Sequence, residues 1–208
     1  MKKSMIAGAI LALGLAAPAA AAPVQWKAED GGNDHWYEVV WNVGQNITWT
    51  SANAAATSST LNGMSGYLAT VTSAAEQLFL NAVNAAFTAS SPFHGGTYTT
   101  AWLGATDRNS EGNWVWQNGE AFTYSNWYAE GWGWPVEQPN GWIFQNYLAG
   151  WETGDKWGDR ANNGGLQKYV VEYDAPPVSN VPVPASLPLA AAGFGIFGLI
   201  ARRRRKAA

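Results

Sequence analysis

Few side chains in this 208-residue protein are equipped for more than folding. There is no cysteine, which excludes a disulfide framework, a thiolate metal site and a cysteine nucleophile. The two histidines are His35, at the head of an alternating run, and His94, in the glycine-rich Phe93-His94-Gly95-Gly96. Both read as structural or surface groups. Glu137 and Asp159 are the carboxylate pair a glycosidase would need, but no spacing demands that chemistry and an enzyme is not expected. The indoles are more informative. Trp132, Trp134 and Trp142 stand in Gly131-Trp132-Gly133-Trp134 and Asn140-Gly141-Trp142, where flanking glycines leave little to bury three rings. An exposed indole stacks on the apolar face of a pyranose or against another protein, so Trp132 and Trp134 are candidate carbohydrate contacts.

Charge narrows the partners. Between residues 23 and 175 there are five basic side chains (Lys27, Arg108, Lys156, Arg160 and Lys168) against all fifteen acidic ones, a net of −10. A body so acidic repels phosphate, and nucleic acid is not an expected partner. The other basic residues sit at the two ends. Lys2 and Lys3 precede an apolar stretch from Met5 to about Ala17 and the small-residue run Ala19 to Ala22, so residues 1–22 read as a secretory signal peptide. Cleavage after Ala21 is preferred, since Pro23 is disfavoured as a new first residue.

At the other end, residues 175–186 form a proline-rich linker that carries Val181-Pro182-Val183-Pro184-Ala185. Residues 187–208 hold an apolar stretch, Leu187 to Ala201, then Arg202 to Arg205 and Lys206. Fifteen helical residues reach only about 22 Å against a hydrocarbon layer of roughly 30 Å, so spanning needs the arginine stems to snorkel. The basic cluster stays cytoplasmic and leaves the body on the far side, where the leader also sends it. The motif, helix and arginine run together resemble the bacterial PEP-CTERM sorting signal in its VPLPA variant, with Val183 in place of Leu. The resemblance implies an exosortase-type processing enzyme as partner, an inner-membrane-anchored precursor, and a final place in the cell envelope or outside the cell.

The folded body is residues 24–174. His35-Trp36-Tyr37-Glu38-Val39-Val40-Trp41 alternates as a strand does. Thr48 or Thr50 caps a first helix carrying Ala52 to Ala56. After Tyr67-Leu68-Ala69-Thr70-Val71, Ser73 and Glu76 form a capping box. Leu78, Phe79, Ala82, Val83, Ala86 and Phe87 follow at helical spacing and predict one buried face. Glycine, asparagine, tryptophan and short runs dominate beyond this point, and two early helices followed by strands predict an α+β domain. Trp102, Leu103, Trp114 and Trp116 are expected to share an interior between packed sheets.

The order of these parts resembles the C-type lectin-like domain. Gly66 to Gln77 is similar to its strand and second-helix start, Ala101 to Asp107 to its core strand, and Glu111-Gly112-Asn113-Trp114-Val115-Trp116 to the hairpin that follows. Ser125-Asn126-Trp127, Gln138-Pro139-Asn140, Lys156-Trp157-Gly158-Asp159 and Tyr169 to Tyr173 complete the series. The resemblance implies two helices on antiparallel β-sheets with a long ligand-presenting loop. It also places Val171 and Tyr147 where the family's disulfide cysteines stand, so burial must offset the missing crosslinks.

In sugar-binding members that loop coordinates calcium, and two sugar hydroxyls complete the metal's shell. Carried over by position, the carbohydrate and calcium contacts become Gln138, Asn140 and Asp159, with Gln145 at a further carboxylate position; a cis peptide before Pro139 is implied as well. Gln138 replaces a Glu, Gln145 falls where a carboxylate is expected, and Gly158 replaces an Asn. Only Asp159 keeps its charge, which weakens calcium binding. The sequence therefore implies an exported carbohydrate-binding module, with a non-sugar role in protein interaction or matrix structure as the alternative.

Overall fold

The structure, a computed structural model, describes residues 19–90, 100–129, 138–141 and 144–176. Ala19–Ala20 (β1) and Val24–Gln25 (β2) both run antiparallel to Trp36–Trp41 (β3). Helix α1, Trp49–Ser58, starts at Thr48, whose hydroxyl accepts from Ser51 N–H at 3.1 Å and so satisfies a free amide of the first turn. Thr60–Leu61 (β4) and Met64–Leu68 (β5) form a hairpin, and Ala74–Ser90 is helix α2. Ala101–Thr106 (β6), Val115–Trp116 (β7), Tyr147–Thr153 (β8), Lys156–Arg160 (β9) and Lys168–Tyr173 (β10) follow.

The sheet runs β1-β3-β10-β6-β8-β9, with β5 also paired to β10 and β7 to β6. It is mixed rather than wholly antiparallel. The closing strand β10 runs antiparallel to β3 and β5 but parallel to β6, where Tyr169 stands opposite Trp102. Gly104 lets β5 and β6 come together. Its N–H donates to Ala69 O at 2.8 Å, and a Cβ there would stand 2.3 Å from Leu68 O.

Alternation along the strands divides the core between two faces. Leu103, Trp114, Trp116, Trp157 and Val170 pack with Leu80 and Val83 of α2, whereas Trp102, Leu68, Tyr169 and Val171 pack with Trp49, Ala52 and Ala56 of α1. Trp102 thus does not share the interior of Trp114 and Trp116, because it and its neighbour Leu103 point to opposite sides of one strand.

Helix α2 departs from expectation in two ways. Its buried residues are Glu76, Gln77, Leu80, Val83 and Asn84, while Leu78 is 68% exposed and Ala82 and Ala86 face solvent. Two amides occupy the buried stripe because the sheet presents polar donors to it. Trp157 Nε1 donates to Gln77 Oε1 at 2.7 Å, and Lys168 Nζ to Asn84 Oδ1 at 2.9 Å. The capping box is also only half formed. Ser73 Oγ accepts from Glu76 N–H at 3.1 Å, but Glu76 Oε2 accepts from Thr72 N–H at 2.7 Å and Thr72 Oγ1 at 2.9 Å instead of reaching back to Ser73. Its other oxygen is held by the Tyr37 hydroxyl at 2.5 Å.

Where the resemblance expects cysteines, Tyr147 packs on Trp49 with ring centroids 4.8 Å apart and Val171 is buried opposite Leu68. Truncating a buried indole typically costs about 3–5 kcal/mol, comparable with losing a native disulfide at about 2–5 kcal/mol. A core this rich in indoles has the means to hold without crosslinks. A boundary between compact units falls after Pro176. Among the described residues no helix is long and apolar enough to cross a membrane, and the sorting motif Val181 to Ala185 and the stretch 187–201 lie outside those residues.

Candidate functional site

The site is built on β9, whose register against β8 sets Asp159 opposite Leu148 and Arg160 opposite Tyr147. Two segments dock on its free side. Trp157 N–H donates to Asn126 O at 2.8 Å and Tyr128 N–H returns to Trp157 O at 2.9 Å, while Lys156 Nζ donates to Asn126 Oδ1 at 2.8 Å. The indole of Trp127 meets Trp157 at 5.6 Å and Trp114 at 4.8 Å, so this ring anchors the segment by packing.

The second segment is residues 138–141. The Gln138-Pro139 peptide is cis, and Gln138 N–H donates to Tyr128 O at 2.7 Å. Gln138 Oε1 accepts from Asp159 N–H at 3.1 Å, and Asn140 N–H donates to Asp159 Oδ1 at 3.4 Å. The structure therefore joins Gln138, Asn140 and Asp159, three of the residues singled out from sequence.

Gln145 lies on the segment leading into β8, and its Oε1 is buried without a hydrogen-bond partner. The next residue fixes that segment. Asn146 O accepts from Asp107 N–H at 3.3 Å and Thr106 Oγ1 at 2.5 Å, and Asn146 Nδ2 donates to Glu111 Oε2 at 3.4 Å. Trp132, Trp134, Glu137 and Trp142 lie outside the described residues, as does His94. His35 is far from this chemistry: its Nδ1 meets Glu172 Oε1 at 2.7 Å.

Asp159 is the electrostatic centre. It is 3% exposed, its Oδ2 has no hydrogen-bond partner, and burial pushes its carboxyl up to about 6. The amide donors from Asn140 and Asp159 itself pull the other way, while the neighbouring charges of Asp107 and Glu111 push it further up. Asp107 is buried too; its Oδ2 accepts from Gly112 N–H at 2.8 Å and its Oδ1 has no partner. Asp107 and Glu111 were not among the sequence candidates. Their signal is two acids four residues apart between β6 and β7, one ending the core-strand motif and the other opening the hairpin motif.

Gln138, Asn140 and Asp159 bring one carboxylate between them, a charge-poor set for a calcium ion. Calcium takes 6 to 8 oxygens. Gln138 Oε1 and Asp159 Oδ1 already accept backbone N–H groups, so hydrogen bonds do the work of joining the loop to the strand. Among the described residues no group of three or more acids or histidines is arranged to hold a metal.

The lectin C-type domain family model matches residues 45–167, more than half of the chain. Halomucin of Haloquadratum walsbyi is 31% identical over 151 residues, which is 67% of this chain but 1% of that protein, so the chain spans only a small part of this relative. The C-type lectin CEL-I from Cucumaria echinata shares the fold at a TM-score of 0.53, with 22% identity over 70% of this chain and 93% of its own. A calcium-independent type II antifreeze protein also gives a TM-score of 0.53, with 19% identity over 76% of this chain and 98% of its own. With the helices, the mixed sheet and the docked loop in the same order, the chain belongs to the lectin C-type domain family.

Proposed function

We propose that this chain is an exported carbohydrate-binding module that retains glycans without turning them over. The observation that carries the reading is the unpartnered acceptor Asp159 Oδ2, on the strand where the segment of residues 138–141 docks. A buried acceptor without a donor costs free energy, and sugar hydroxyls are donors that remove the cost. The lectin name of CEL-I, which has the same fold, supports this ligand class. With a single carboxylate among Gln138, Asn140 and Asp159, the hydroxyls bind side chains directly.

A glycan array probed with the full chain in calcium and in chelator tests the proposal. Retention that survives the chelator is expected. Retention lost with the chelator overturns the metal-free form, and no retention in either condition favours a non-sugar role in protein interaction or matrix structure. The calcium-independent antifreeze protein, similar in fold, supports that second reading.

Export rests on the two ends of the sequence. Lys2-Lys3 with its apolar run directs secretion, and Val181 to Ala185 with the arginine-ended helix directs exosortase-type processing at the membrane. Cleavage after Ala21 would remove β1 and leave β2 on the edge of β3. Protein recovered from the envelope or medium for the array then begins at Ala22 and lacks the arginine run; an intact chain overturns the export reading.

A further inference from the structure

We infer that the amide pair Gln77 and Asn81 of α2 positions the candidate site, by holding an indole from each strand of the β8–β9 hairpin on which residues 138–141 dock. Each amide acts through another side chain, as a positioning residue. The inference rests on the carbohydrate reading for its purpose, since it concerns the same site, but it is tested without a sugar.

Trp157 of β9 and Trp151 of β8 each carry one ring N–H, which can only donate. Trp157 Nε1 donates to Gln77 Oε1 at 2.7 Å, and Trp151 Nε1 donates to Asn81 Oδ1 at 2.8 Å. Gln77 Nε2 donates to the same Asn81 oxygen at 2.8 Å and so joins the two clamps. The donor-only indoles fix which end of each amide faces the hairpin.

Trp151 reaches the pair because the backbone departs from a regular strand. Leu148 lies on the α2 side of the sheet and Ala149 on the α1 side, and continued alternation would put Trp151 with Ala149. Instead the register shifts between Ala149 and Thr153, Trp151 takes a φ of 59°, and its ring joins the core of Leu80 and Val83. A positive φ is unfavourable for a bulky side chain and persists where the surroundings enforce it.

From Trp157 the hold passes to the site. Its ring lies 5.6 Å from that of Trp127 and 5.7 Å from that of Tyr124, and its backbone bonds Asn126 and Tyr128. Tyr128 O accepts from Gln138 N–H at 2.7 Å, while Asp159, two residues beyond Trp157, takes the bonds to Gln138 and Asn140. Both side-chain bonds from the amide pair to the sheet end on this one hairpin. Losing them therefore loosens the hairpin and its docked segments more than the distant pairing of β3 with β10.

Amide hydrogen exchange of the full chain, read at Tyr128, Gln138 and Trp157 against the amides that pair β3 with β10, tests the assignment. Asn81→Ala removes the shared oxygen and is expected to speed exchange at those three amides about tenfold, with the β3–β10 amides within about twofold of parental. Asn81→Asp keeps that oxygen and is expected to restore parental rates to within about twofold. Gln77→Met, close in length, strands the Trp157 donor and gives the larger acceleration. The Asn81 variants change a half-buried position and decide the question even where Gln77→Met does not fold. Equal acceleration at both sets of amides, no acceleration at either, or rates left fast in Asn81→Asp overturns the assignment. Glycan retention plays no part in these rates, so a failed array and a failed clamp are told apart.

Discussion

Two groups of buried carboxylates stand on different parts of the sheet, and they are treated differently. Where α2 meets the sheet, Glu76 of α2 and Glu172 of β10 are almost wholly buried, yet all four of their oxygens have donors. Glu172 takes His35 Nδ1 at 2.7 Å on one oxygen and Thr70 N–H and Oγ1, both at 2.9 Å, on the other. Tyr37 bridges toward Glu76, and Asn33 Nδ2 in turn donates to the Tyr37 hydroxyl at 2.9 Å. At the loop end, Asp159 is about as buried but has one long hydrogen bond from Asn140 and an oxygen with none. Burial raises the carboxyls of both Glu172 and Asp159, but only Glu172 has a nearby histidine to oppose it. A satisfied network ties elements together, whereas an unsatisfied group is a place for something else to bind.

Breaking the satisfied region has the largest expected effect. Glu172→Ala strands His35 and both donors of Thr70 in the interior and lowers unfolding free energy by about 3–5 kcal/mol, read by urea denaturation. A loss below about 1 kcal/mol would remove the network from any structural role.

Asp159→Asn sharpens the comparison from the other side. Because the folded carboxyl lies above its ordinary value, its cost is absent below about pH 4, grows as pH rises toward 6, and is full above that. The amide substitution is therefore expected to stabilise the chain at pH 7 by on the order of 1–2 kcal/mol while abolishing glycan retention. A destabilised variant that still binds contradicts both halves.

The smallest effect belongs to His35, held above its ordinary pKa chiefly by its hydrogen bond to Glu172, with burial opposing. Its contribution is complete below about pH 6.5 and is lost as pH rises through the folded value. Parental stability should fall by under about 1 kcal/mol across that window, and His35→Gln should flatten the curve. An unchanged slope in thermal melts from pH 6 to 8 would refute the coupling.

The contrast between the two carboxylate groups was not legible in the chain. Glu76 read as half of a capping box, since Ser73 lies three residues before it; nothing local announced that Tyr37 would claim one oxygen and Thr72 the other. Gln138, Asn140 and Asp159 were legible through the order of motifs, and they meet through hydrogen bonds. Asp107 and Glu111 escaped notice because only the turn after β6 brings their charges within reach of Asp159.

Local patterns determined a good deal unaided: the strand at Trp36–Trp41, a threonine cap at Thr48 or Thr50, the start of α2 and the burial of Trp114 and Trp116. These depend on side-chain period and on capping chemistry within a few residues. Tertiary structure decided which stripe of α2 is buried, that Trp102 faces α1 instead of the other indoles, and which carboxylates find donors. The reason is distance along the chain. The partners of Gln77, Asn84 and Glu172 lie 80, 84 and 137 residues away, and no local pattern can specify a donor that only sheet pairing delivers.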